Sequence, residues 1–112
     1  MGIQMKSALP APIEIYLQAD AGIDEGLFSA CFAADAEVRD EGHTIRGLEA
    51  IKAWKREAKR KYQYQVSPLA VSQDGDTVFL TARLAGNFPG SPVELTYRFV
   101  LRDDRIASLD IR

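Results

Sequence analysis

The stretch FAADAEVRDEGHTIRGLEAIKAW, Phe32 to Trp54, changes its periodicity twice. Ala36 to Asp40 alternates, with Ala36, Val38 and Asp40 on one face, as a half-buried strand does. Glu41-Gly42 is a turn, and Thr44 to Arg46 reads as the returning strand. From Gly47 the pattern becomes helical and runs to about Tyr62. Leu48, Ile51, Trp54, Lys55, Ala58 and Tyr62 lie along one side. Lys52, Arg56, Lys59 and Arg60 lie along the other, which reads as a solvated helix face.

Upstream, Leu9, Ile13, Tyr16 and Leu17 share a helical face, and Gly22 ends that helix. Asp24 is placed to cap a second helix, with Ile23 and Phe28 as a hydrophobic staple. Its buried stripe is Leu27, Phe28, Cys31 and Phe32, which makes Cys31 a small core residue. Downstream, four strands follow: Tyr64 to Ser72, Thr77 to Asn87, Val93 to Arg102 and Ile106 to Ile111. Turn signals divide them at Asp74-Gly75, Pro89-Gly90 and Asp103-Asp104. Helices gathered ahead of a run of strands predict an α+β domain. Three helices covering one face of a curved, mostly antiparallel sheet would make a cone with a pocket at its mouth.

The 112 residues suffice for one domain, residues 1–112, whose first eight or so read as a flexible arm. One cysteine permits no internal disulfide and suits a reducing, cytoplasmic setting. One cysteine and one histidine make no zinc site of the usual kind, and no metal or other cofactor is expected. No apolar run is long enough to span a membrane, and the first twelve residues do not read as a signal peptide. The net charge of −2 splits into −6 over residues 1–50 and +4 over residues 51–112. Six bases between Lys52 and Lys61 raise the question of nucleic acid. The acidic balance and the lack of a recognition motif argue against it.

The element order, and the segments ADAEVRD and GLEAIKAW within the opening stretch, resemble the nuclear transport factor 2-like superfamily. Within it the chain is most similar to the SnoaL-like group, which also holds the ketosteroid isomerases. The resemblance runs from about Pro12 to Ile111. It implies a cone-shaped α+β fold, a pocket between helices and the concave sheet face, and a homodimer formed through the convex face. It also implies a proton-shuttling Asp at Asp40 and an oxyanion-binding Tyr at Tyr16, 24 residues earlier. The third member of the isomerase oxyanion site falls near Tyr97, where a phenol stands in place of the carboxylic acid. Phe32 and Lys55 occupy positions where those isomerases keep a tyrosine network, and the hairpin after Asp40 is shorter. The fold hosts many functions, so the activity must be argued from the site.

The chemistry at stake is proton abstraction next to a carbonyl on a small apolar ligand, as in an isomerase, lyase or cyclase. Asp40 would be the base, and Tyr16 and Tyr97 the donors. Asp40 and Tyr16 also have plain structural readings: a turn-end aspartate and a core tyrosine. Phe28, Phe32, Trp54 and Phe99 either line the pocket as ligand contacts or pack as core. His43 is either a solvated turn histidine or an acid–base partner. The alternatives to an enzyme are a non-catalytic binding protein with the same pocket and a dimeric interaction module. Phe79, Thr81, Arg83, Thr96, Arg98 and Val100 are expected on the convex face, mixed enough in character to be a dimer interface.

Overall fold

A computed structural model describes residues 9–22 and 25–112. Helix α1 (Ala11–Gly22) and helix α2 (Glu25–Cys31) come first. Strands β1 (Phe32–Asp40) and β2 (His43–Arg46) form a hairpin, and helix α3 (Leu48–Tyr62) follows. Strands β3 (Gln65–Asp74), β4 (Thr77–Ala85), β5 (Val93–Arg102) and β6 (Arg105–Ile111) complete one six-stranded sheet in the order β2-β1-β6-β5-β4-β3. Every neighbouring pair is antiparallel except β1 with β6. The expected α+β architecture is therefore present. The expected Asp24 cap, the Ile23 half of the staple and the N-terminal arm lie outside the described residues.

Several strand ends differ from expectation by one or two residues, β3 running Gln65–Asp74 and β4 stopping at Ala85, and two starts bear on the site. The first strand begins at Phe32, four residues earlier than Ala36, directly after the last residue of α2. Its register against β6 slips between Phe32 and Glu37, so the Ala-rich segment carries no clean alternation to betray it. The third helix begins at Leu48, with Gly47 outside it at φ 88°, a left-handed conformation that suits glycine. The Gly47 amide donates to the Ala36 carbonyl at 2.9 Å, tying the helix start to β1. The helix ends where Gln63 turns left-handed and donates its N–H to the Lys59 carbonyl.

The core lies between the concave sheet face and the helices. From the sheet come Val38, Val78, Leu80, Phe99, Ile106 and Leu109, and from the helices Ile13, Tyr16, Phe28, Cys31 and Ile51, all buried. Tyr16 sits at the centre of an aromatic group, with ring centroids 5.5 Å from Phe99, 5.8 Å from Phe32, 6.2 Å from Phe28 and 6.3 Å from Tyr97. Cys31 is part of this core; its thiol donates toward the Phe28 carbonyl, and burial pushes its pKa up to about 12.

The convex face carries the residues expected there: register pairs Phe79 with Arg98, Thr81 with Thr96, and Thr77 with Val100. Phe79 is 37% exposed. Asp110, nearly buried on this face, is held between Arg39 at 3.2 Å and Arg98 at 3.3 Å. Among the described residues, no helix is long and apolar enough to cross a membrane.

Candidate functional site

Asp40 is placed by register. Val38 is fully buried, and Asp40, two residues on, shares its face of β1. One row across the sheet reads Asp40, Ile111, Tyr97, Leu80. Asp40 and Tyr97 thus face the same side two strands apart, roughly 10 Å by ordinary strand spacing. Between them and α3 lies a pocket of about 310 Å³. Its polar groups are Asp40, Glu41, Lys55, Tyr62, Tyr64 and Tyr97; its apolar walls include Trp54, Ala58, Leu84, Phe88, Leu95 and Ile111.

The β4–β5 loop forms one rim of the pocket. Phe88 meets the Tyr62 ring edge-on at 6.0 Å, and the Asn87 amide donates to the Tyr62 carbonyl. Gly86 makes this approach possible. A Cβ there would stand 2.7 Å from the Tyr64 Cα and 2.8 Å from the Tyr62 carbonyl oxygen. Any side chain would push the loop away from the end of α3.

Burial raises the pKa of Asp40, and Glu41 next to it raises it further. Lys55, His43 and the Trp54 indole oppose that rise as lesser influences. The result is a carboxylate whose proton affinity is shifted toward that of a useful base. Tyr97 is 1% exposed, and desolvation holds its pKa well above the ordinary phenol value, so it remains a donor at neutral pH.

Deeper in, four side chains form a buried polar knot. Lys55 Nζ is 3.0 Å from Asp20 Oδ1 and donates to Tyr64 Oη at 3.0 Å. The Tyr64 hydroxyl donates to Asp20 Oδ1 at 2.9 Å. Lys59 Nζ donates to the Tyr64 carbonyl and lies 3.7 Å from Asp20 Oδ2. The Lys55 ammonium also stands over three rings, 4.6 Å from the Trp54 centroid, 4.8 Å from Tyr16 and 5.6 Å from Tyr64. Desolvation lowers the Lys55 pKa; Asp20, the largest opposing influence, raises it.

Of the residues singled out from sequence, Asp40, Trp54 and Tyr97 come together on the pocket. Tyr16 lies behind it, against Tyr97 and under Lys55; its hydroxyl is buried with no hydrogen-bond partner among the described residues. Phe28, Phe32 and Phe99 are not in the lining: they pack around Tyr16 in the core, Phe99 also stacking on Tyr97 at 6.1 Å. His43 pairs with Asp40 across the hairpin, but it is exposed on the outermost strand and outside the lining. Lys59, expected on the solvated side, is buried, because Asp20 and the Tyr64 carbonyl receive its ammonium. The knot was visible in sequence only as two oddities. Asp20 continues the buried stripe of α1 one turn after Tyr16, and Lys55 interrupts the apolar stripe of α3. Among the described residues, no three His, Cys, Asp or Glu side chains gather as metal ligands.

Residues 16–109 match the family model described as a SnoaL-like domain. The chain belongs to the SnoaL-like family. Solved structures share its fold. A candidate polyketide cyclase from Sinorhizobium meliloti is 43% identical, with a TM-score of 0.91 over 93% of this chain and 95% of that one. A protein of ketosteroid isomerase-like fold from Catenulispora acidiphila, solved with trimethylamine, is 23% identical, with a TM-score of 0.81 over 94% and 86% of the two chains. A candidate isomerase of the SnoaL-like family from Agrobacterium tumefaciens is 19% identical, with a TM-score of 0.75 over 89% and 92%. The last two likenesses concern the fold alone. Among curated proteins, none matches this SnoaL-like chain.

Proposed function

We propose that this SnoaL-like domain abstracts a proton next to a carbonyl on a small apolar molecule, as an isomerase or cyclase does, with Asp40 as general base. The observation that carries the reading is a half-buried carboxylate and a buried phenol on the same sheet face, two strands apart, both lining one largely apolar-walled pocket of about 310 Å³. The Asp40 carboxylate takes the proton, the C–H electron pair moves toward the carbonyl, and charge develops on its oxygen. The Tyr97 hydroxyl donates to that oxygen. Tyr16 supports Tyr97 by ring contact at 6.3 Å and acts as a positioning residue. The 43% identity to a candidate polyketide cyclase supports an enzyme of this class. The single buried cysteine suits a reducing, cytoplasmic setting.

Deuterium exchange into a panel of apolar ketones, followed by NMR, tests this. Asp40→Asn, which keeps size and cannot take the proton, should lower the exchange rate by at least ~10²-fold. Burial favours the neutral acid, so the carboxylate base forms only at higher pH than usual. The acid limb of kcat/KM should therefore lie above the ordinary aspartate value of about 4. Native protein that binds ketones without exchanging their protons would instead be a binding protein. The same proposal includes a homodimer through the convex face around Phe79, Thr96 and Arg98. Sedimentation at micromolar concentration should give twice the monomer mass, and a monomer there would remove the dimer from the proposal.

A further inference from the structure

The knot behind the pocket has an unequal charge count. Two ammonium groups, Lys55 and Lys59, share one carboxylate, Asp20, and all three residues are nearly fully buried. Buried charge is costly unless paired, so one positive charge remains to be matched. The two ammoniums are not equivalent. Lys59 is turned toward the Tyr64 carbonyl and away from the pocket lining. Lys55 is in the lining, and two of its three N–H donors are committed to Asp20 and Tyr64 at 3.0 Å. No further hydrogen bond among the described residues takes the third.

The pocket's own acids offset this charge only in part. Asp40 is near enough to Lys55 for each to favour the other's charged form, but it is half-buried at the hairpin turn and Glu41 is exposed, so solvent weakens their fields. The Lys55 side chain is 4% exposed, so its field acts through a poorly screened medium. The Tyr64 hydroxyl is beside it, and Tyr97 with the apolar walls of Leu84, Phe88 and Leu95 share the same lining.

We propose that Lys55 is an anion seat, and that the pocket's ligand is an apolar molecule bearing one carboxylate, which the ammonium receives while the hydrocarbon body lies against Leu84, Phe88 and Leu95. Asp20 and Tyr64 hold the ammonium in place, and the Trp54 and Tyr16 rings keep it from swinging aside. The seat concerns binding alone and stands whether or not Asp40 turns the ligand over. Where it is combined with the proposed proton abstraction, and so rests on that reading, it narrows the substrate class to carbonyl compounds that also carry a carboxylate.

Trp54, the sole tryptophan, lines the pocket beside Lys55 and gives a direct fluorescence readout. The experiment compares trans-cinnamate with its neutral isostere trans-cinnamamide, titrated into the full chain at physiological salt and checked by calorimetry. Cinnamate should bind at least tenfold more tightly than the amide. Lys55→Met, which keeps chain length and leaves Asp20 paired with Lys59, should bring the two affinities within about twofold by weakening cinnamate alone. The native protein gives a second readout: the Lys55 Nζ resonance, identified by its contacts to the Trp54 and Tyr16 rings, should shift on adding cinnamate and stay in place with the amide, which keeps the test decisive if the Lys55 variant does not fold. A Lys55 resonance unmoved by saturating cinnamate would overturn the seat. Equal affinities in the native protein, no saturation by either compound at millimolar concentration, or a preference that survives Lys55→Met would overturn the seat. None of these outcomes bears on Asp40 as a base, which proton exchange tests separately.

Discussion

The concave side of the sheet has two ends built from the same strands. Phe99 and Tyr97 are two residues apart on β5 and face the same way, yet they belong to different environments. Around Phe99 the space is filled: the Tyr16 ring lies 5.5 Å away, the Tyr97 ring stacks at 6.1 Å, and the core cluster that also holds Phe28 and Phe32 leaves no cavity lining there. Around Tyr97 it is open: α3 presents Lys55 and Ala58, α1 presents Asp20 to the knot, and a pocket remains. One end holds the fold together and the other offers chemistry. The difference comes from which side chains the helices lower onto a continuous sheet. Lys55 and Ala58 on α3 leave room that bulkier apolar side chains at those positions would fill.

The sharpest way to break this comparison is to truncate each end in turn. Phe99→Ala should cost about 4 kcal/mol in urea unfolding, because it opens a cavity in close-packed surroundings. Leu95→Ala, on the pocket wall and only partly buried, should cost about 1 kcal/mol. Equal losses would mean that the open end is packed as tightly as the filled one. Asp20→Ala should cost about 3 kcal/mol, since it strands two buried ammoniums. A loss well under 1 kcal/mol would show that the knot admits water and is not part of the buried frame. The smallest effect has the opposite sign. Tyr16→Phe removes a buried hydroxyl that lacks a partner, so unfolding should show a gain of about 1 kcal/mol. A destabilised Tyr16→Phe would mean that this hydroxyl is satisfied in solution.

The filled end and the open end were not equally legible in the sequence. The period-2 pattern of Val78, Leu80 and Ala82 on β4 marks the concave face unaided, and all three are buried. The same alternation, carried from Val38 to Asp40, turns the carboxylate inward. Aromatic residues gave a weaker signal, because a ring that packs and a ring that contacts a ligand obey the same hydrophobic rule. Trp54 proves to line the pocket while Phe28, Phe32 and Phe99 fill the core, and only tertiary distance separates them. The knot was the hardest part to read. Lys55 and Asp20 are far apart in the chain, and their attraction exists only after α1 and α3 meet. A charge that reads as solvated in one dimension is buried once its partner arrives from another element.

Cys31 has a practical consequence for anyone labelling this protein. Its thiol is the chain's sole sulfhydryl, sits in the aromatic core, and ionises only near pH 12. Maleimides and iodoacetamides, which react through the thiolate, should pass the native molecule by at neutral pH. A cysteine introduced on the exposed β4–β5 loop, at Pro89 for instance, would then be the one reactive handle on the molecule. A dye or spin probe could be placed beside the pocket mouth without first removing the natural cysteine. The core that keeps this thiol out of reach leaves the surface chemically blank for such reagents.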